Sequence, residues 1–275
     1  MIKPGEIDRI AIKEGVRATQ IQKDYIISWI LWGLSKNKFL FDNLVFKGGT
    51  CLKKIYFKDY RFSEDIDFTL LDDAVDNDEV LMNFNSLFDN IYETARIQLQ
   101  TEKGSFEIHR RSGSVKFRIG FNGPHGYDYI KVDITRGEKI LFDCGPKTVQ
   151  NIYSDLDEEN EINIKAYSLQ EILIEKMAAL MGRTIPRDLF DFYFLTESEG
   201  IEMEEVYIEF ITKAENKGHD PKTLLQKVTP KATIFKRDWE ISLANQIKKE
   251  NFPAFKEVWR KANGQFRKLI ALLGE

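Results

Sequence analysis

The chain has 275 residues, 43% hydrophobic, 31% charged and 12% aromatic, with 17 glycines and 7 prolines. That is globular material with enough length for two cores, and it excludes collagen-like, disordered and disulfide-scaffold classes. The net charge of −4 is unevenly held: residues 222–275 carry 12 Lys and Arg against 5 Asp and Glu, a balance of +7 that leaves −11 for residues 1–221.

The start, Met1 to Gly15, mixes charges with small apolar stretches and lacks the apolar core and cleavage pattern of a signal peptide. Residues 19–35 then place Ile21, Tyr25, Ile26, Trp29, Leu31 and Trp32 at helical spacing, a thickly apolar helix expected to pack on a sheet. Its longest nearly apolar run, Tyr25 to Leu34, is about half the roughly 20 residues that span a bilayer. A cytoplasmic protein without a membrane partner is therefore expected. Cys51 and Cys144 form no metal or redox pair and are expected to be reduced.

A β-like run, Leu44 to Phe46, leads into Gly48-Gly49-Thr50 and a helix over Cys51 to Phe57. Ile66 to Leu71 reads as a strand and Ala74 to Gln100 as a long helix. Three further β-like runs follow, Ser105 to His109, Ser114 to Phe121 and Tyr129 to Thr135, with links short enough for antiparallel pairing. From about Ile162 the pattern is helical, opening on Ser168-Leu169-Gln170-Glu171, a capping box. The acidic stretch Asp155 to Glu161 is the expected junction. It divides an α/β unit, 1–160, from a helical unit, 161–275.

The chemistry concentrates in Phe46 to Leu70. Gly48 and Gly49 stand where a strand turns into a helix, so backbone can approach a phosphate closely. A plain tight connection reads the same way. In a strand, Asp65 and Asp67 project to one face about 6.5–7 Å apart. Two converging carboxylates suit a Mg²⁺ ion shared with substrate phosphates, although a pair of exposed acids on an edge strand would look identical. Asp133, framed by Val132 and Ile134, either lies on a solvated face or joins the pair from an adjacent strand; Asp128 is a possible substitute. Three carboxylates around metal suit in-line attack on a nucleoside triphosphate.

The motifs K-G-G-T-x-L-x-K and R-x-S-x-D-I-D-F, here beginning at Lys47 and Arg61, resemble the nucleotidyltransferase superfamily. More narrowly they resemble the AbiEii family of nucleotidyltransferase-like toxins, from type IV toxin–antitoxin and phage abortive-infection systems. A helical signature of that family, a Lys followed by R-D-x-x-D-h-x-x-L, is matched by Lys176 and by Arg187 to Leu195. The resemblance runs from about Lys47 to Leu195 and supplies no motif for the last eighty residues. It implies an α+β fold, with an N-terminal nucleotidyltransferase-like mixed sheet flanked by helices and an all-helical C-terminal domain that completes an active-site cleft.

It further implies that Asp65, Asp67 and Asp133 bind Mg²⁺ or Mn²⁺. Gly48, Gly49, Thr50, Lys53, Arg61 and Ser63 are implied to bind the nucleotide, and Lys176, Asp188 and Asp191 to complete catalysis. On the residues alone, Arg187 and Asp191 read as an i,i+4 ion pair, and Lys176 as a snorkelling side chain or a cation facing phosphates. The implied activity is transfer of an NMP from an NTP to RNA, a tRNA end, which blocks translation and growth. A cognate antitoxin is the implied partner. The alternatives are nucleotidyl or phosphoryl transfer to a protein, including the antitoxin or the chain itself, and an inactive binding module.

His109, Arg110 and Arg111 with Lys116 and Arg118 read as an RNA or triphosphate grip, or as a solvated strand face. Phe235, Trp239, Phe252, Phe255 and Trp259, interleaved with the basic tail, offer base stacking or a helical-bundle core.

Overall fold

A computed structural model describes residues 1–156 and 161–274, so most of the acidic junction, 157–160, lies outside the described residues. Two units are distinguished: Met1–Glu138 with Cys144–Tyr167, and Lys139–Asp143 with Ser168–Glu275.

The first unit opens with helix α1 (Pro4–Glu14), which the charge-rich start did not suggest and which has proline in its first turn and Gly15 in the left-handed region as its cap. Helix α2 (Ala18–Lys36) follows and is buried on nearly all sides from Gln20 to Leu34. It packs against α1, against α3 (Lys38–Asn43) and against α5 (Asn77–Ala95). Burial all round explains why its apolar residues show no single stripe.

Strand β1 (Leu44–Lys47) runs into the short helix α4 (Gly48–Cys51), which continues as a π-turn, Leu52–Tyr56. Strand β2 (Asp65–Leu70) follows, then α5. The long helix expected to reach Gln100 stops at Ala95, where Arg96 adopts φ 57. The chain reverses and Leu99–Thr101 becomes strand β3. The run at 105–109 contributes only β4 (Glu107–Ile108). Strands β5 (Val115–Gly123) and β6 (Gly126–Thr135) form a hairpin.

The sheet order is β1-β2-β6-β5-β3, with β4 also on β5. The antiparallel expectation holds for β4, β5 and β6. The β2–β6 pair is parallel, its connection being the excursion through α5 and the outer strands. One face carries the fully buried Ile66, Phe68, Phe117, Ile119, Val132 and Ile134, the core side. A second small sheet pairs β7 (Pro146–Thr148) with β8 (Asn163–Lys165), the latter standing where helix was expected from residue 162. Beyond it, the Tyr167 N–H donates to the Phe46 carbonyl and covers the outer edge of β1.

The second unit is helical: α6 (Leu169–Gly182), α7 (Pro186–Tyr193), α8 (Tyr207–Asn216), α9 (Leu224–Val228), α10 (Ala232–Leu243) and α11 (Phe255–Leu272). The Ser168 hydroxyl accepts from the Glu171 N–H, as the capping pattern requires. The Glu171 carboxylate does not reach back to close the box. It accepts from the Leu141 and Phe142 N–H groups and pairs with buried Lys213 at 2.6 Å, anchoring segment 139–143 within this unit. Of the tail aromatics, Phe235 and Trp239 are buried core, while Phe252, Phe255 and Trp259 are half-buried, with Trp239, Phe255 and Trp259 in successive ring contacts.

Among the described residues no helix is long and apolar enough to cross a membrane.

Candidate active site

The alternation of β2 puts Asp65 and Asp67 on the face opposite the buried Ile66 and Phe68. In the parallel β2–β6 register Asp67 lies beside Asp133, and Asp65 beside Lys131. The three predicted carboxylates therefore share one sheet face, with Asp67 and Asp133 on neighbouring strands. This is the arrangement that a single strand's sequence could not specify. Asp133 also meets Lys116 of β5, its register partner, at 2.8 Å.

The Gly-Gly turn abuts this face. Gly48 has φ 79, and a Cβ placed on it would lie 2.5 Å from Asp67 Oδ2. A Cβ on Gly49 would lie 2.2 Å from the Arg61 guanidinium. Both glycines are required by close approach, one to the carboxylate and one to the buried arginine. Gly48→Ala is expected to cost about 1–2 kcal/mol for the left-handed backbone alone and to push the Asp67 carboxylate aside. Urea denaturation and transfer assays on the same preparation should show both losses.

Thr50 is buried, and its hydroxyl donates to the Asp65 carbonyl at 2.5 Å, tying α4 to β2 where the acids begin. Ser63, also buried, has its carbonyl held by the Gln20 side chain. Arg61 reaches the Phe62 carbonyl and the Tyr60 ring. Lys53 donates to the Lys58 carbonyl and sits 4.2 Å from the Phe62 ring centroid; burial holds its pKa below the ordinary lysine value. The last lysine of K-G-G-T-x-L-x-K is its neighbour, Lys54, which is fully enclosed. Its ammonium contacts Asp24 at 2.5 Å and Ser28 at 2.8 Å, and the Tyr153 hydroxyl donates to the same Asp24 oxygen. That pair pins the segment after the Gly-Gly turn to α2, and reading along the chain did not reveal it because Asp24 lies 30 positions away.

In the second unit, Lys176 on α6 lies 2.8 Å from Asp188 and 2.7 Å from Asp191, both on α7. Arg183 closes a bidentate contact on Asp188. The expected Arg187–Asp191 pair is replaced by Lys176–Asp191, because Asp191 is fully buried on the side facing α6. Burial opposes the Asp188 charge, but Lys176 and Arg183 outweigh it and hold its carboxyl below the usual range. The family resemblance pointed to Lys176, Asp188 and Asp191 in the sequence, while Arg183's share was missed there because it depends on the turn between the helices.

The sheet-face donors are all carboxylate oxygens, the set a hard divalent cation prefers, and the Gly48 cradle keeps side-chain bulk from Asp67. Among the described residues no three Asp, Glu, His or Cys side chains are gathered into a ready-made metal cage. A pair of carboxylates completed by substrate phosphates fits that geometry better than an all-protein site.

A mixed sheet with a Gly-Gly turn against a D-x-D strand and a third strand acid defines a nucleotidyltransferase-type fold. Two solved structures share it at low sequence identity. MenT4, a nucleotidyltransferase toxin from Mycobacterium tuberculosis H37Rv, aligns with a TM-score of 0.64 over 99% of each chain at 18% identity. JHP933 from Helicobacter pylori aligns with a TM-score of 0.54 over 94% of this chain and 95% of its own, at 16% identity. No curated protein sequence matches. The model of the AbiEii nucleotidyl transferase toxins of type IV toxin–antitoxin systems matches residues 29–261, and the chain belongs to that family.

Proposed function

We propose that this chain transfers a nucleotidyl group from an NTP to an RNA acceptor, a tRNA end, in a Mg²⁺- or Mn²⁺-dependent reaction, and that a cognate antitoxin restrains it. The observation that carries the reading is the shared face of Asp65, Asp67 and Asp133 against the Gly48 turn, in a chain of the AbiEii family.

Asp65 and Asp67 would hold the metal, with Asp133 as the third carboxylate. Bound there, the cation would polarise the α-phosphate and neutralise charge developing on the departing pyrophosphate. The acceptor hydroxyl attacks the α-phosphorus and forms the new P–O bond, its proton passes to solvent, and the bond from the α-phosphorus to the departing pyrophosphate breaks. Gly48 and Gly49 admit the phosphates close to backbone. Thr50 fixes the Asp65 strand against that turn, and Lys54 anchors the adjoining π-turn to α2. Lys176, Asp188 and Asp191 are proposed to act in the same reaction, Lys176 as the cation and the two acids as its positioning partners.

The test is a labelling screen of each NTP against total RNA, tRNA and protein with Mg²⁺ or Mn²⁺. Label in tRNA is the expected result. Label in protein alone would replace the RNA reading by protein modification, and no label under any pairing would leave a binding module. Self-labelling at Thr50 or Ser63 is not expected, since both are buried.

A further inference from the structure

One transverse row of side chains crosses five strands. Lys47, Asp67, Asp133, Lys116 and Glu107 are successive register partners from β1 through β2, β6 and β5 to β4, so all five project from one face. The adjacent acids Asp67 and Asp133 repel one another unless a cation relieves them. At Asp133 the chain supplies its own, the Lys116 ammonium at 2.8 Å. That lysine is 63% exposed and Asp133 32% exposed, so the pair is hydrated and exchangeable, unlike the buried Lys54–Asp24 pair. Exposed pairs of this kind are weak and open readily.

We propose that Lys116 is a tethered counter-ion that competes with the divalent metal for Asp133 and so sets the metal affinity of the carboxylate face. The proposal rests on the reading that Asp65 and Asp67 hold a metal. The ammonium and the metal ion cannot both take the same Asp133 oxygen. With Lys116 in place, Asp133 is screened and the metal is left with Asp65 and Asp67; when the metal gains Asp133, the ammonium must swing away. Removing the ammonium while keeping the length of the side chain therefore strengthens metal binding, and does so only while residue 133 is a carboxylate.

Direct Mn²⁺ titration, read by the electron paramagnetic resonance signal of free Mn²⁺, tests this without any turnover. Lys116→Met is expected to bind Mn²⁺ about two- to fivefold more tightly than the unaltered protein, the range an exposed ion pair supports. Lys116→Arg is expected to bind no more tightly than the unaltered protein, because a guanidinium keeps the charge and can grip the carboxylate with two N–H groups. The double variant Lys116→Met/Asp133→Asn is expected to match Asp133→Asn alone. Lys116→Met binding no tighter than the unaltered protein would overturn the proposal. So would a gain that persists in the Asp133→Asn background, since that is a general field effect. If neither the unaltered protein nor any variant binds Mn²⁺, the metal reading itself fails and this proposal with it. Because Lys116 is exposed, its substitution removes no core volume, and circular dichroism on each variant checks that the fold is kept.

Discussion

Asp67→Ala is expected to reduce nucleotidyl transfer by on the order of a hundred- to a thousandfold or more, the scale of removing one electrostatic contact from a reacting centre, in a protein that still folds. The two halves of this expectation come from opposite faces of one strand. Ile66 and Phe68 are completely buried and hold β2 in the core, whereas Asp65 and Asp67 are only partly covered. Removing a carboxylate from that face removes no core volume, and it relieves repulsion between Asp67 and Asp133. Thermal denaturation should therefore show a midpoint within a few degrees of the parent while labelling is lost. Asp65→Ala should behave alike, provided the Thr50 bond to its backbone carbonyl survives. Retained labelling in both variants would remove the metal-site assignment.

Lys176→Met is expected to destabilise the helical unit by about 3–5 kcal/mol, because it takes the shared cation from two buried carboxylates. Asp188 and Asp191 are 2% and 0% exposed, so water cannot take the place of the ammonium. Arg183 still serves Asp188, and Lys176→Met/Asp191→Asn should recover part of the loss. Urea denaturation measures both, and equal midpoints for the parent and Lys176→Met would refute the account.

The same cluster predicts a direction in acid. The folded-state pKa of Asp188 is lowered, so its contribution to stability is complete above the unfolded carboxyl value of about 3.9. It disappears as the pH falls through the lower folded value. Asp188→Asn should flatten that part of the stability profile below about pH 4. A profile identical to the parent's would show that the pair contributes nothing in that window.

Reading along the chain identified α2, α5, β1, β2, β5, β6 and the helical character beyond Ser168, since hydrophobic period and Gly, Ser and Asp punctuation are local properties. It found the buried helix over 19–35, the D-x-D strand, the β5–β6 hairpin and the Ser168 cap. It overran α5 because nothing in Ala95-Arg96-Ile97 announces a left-handed residue. It assigned no element to β7 and read β8 as helix, because their three-residue strands exist only through pairing with each other.

The candidate site divides in the same way. Alternation alone places Asp65 and Asp67 together, whereas Lys176 is linked to Asp188 and Asp191 in the sequence only by the family resemblance, since they stand on separate helices. The neighbours of these groups come from elsewhere in the chain. Asp133 reaches Asp67 through a parallel pairing across 66 residues, Lys116 reaches Asp133 across the hairpin, and Lys54 finds Asp24 on a helix 30 residues earlier. Residue types and their local period determined which side chains could do chemistry and which face of an element carries them. Strand register and burial, which depend on contacts between distant segments, decided which charges meet, which are enclosed, and which remain exchangeable.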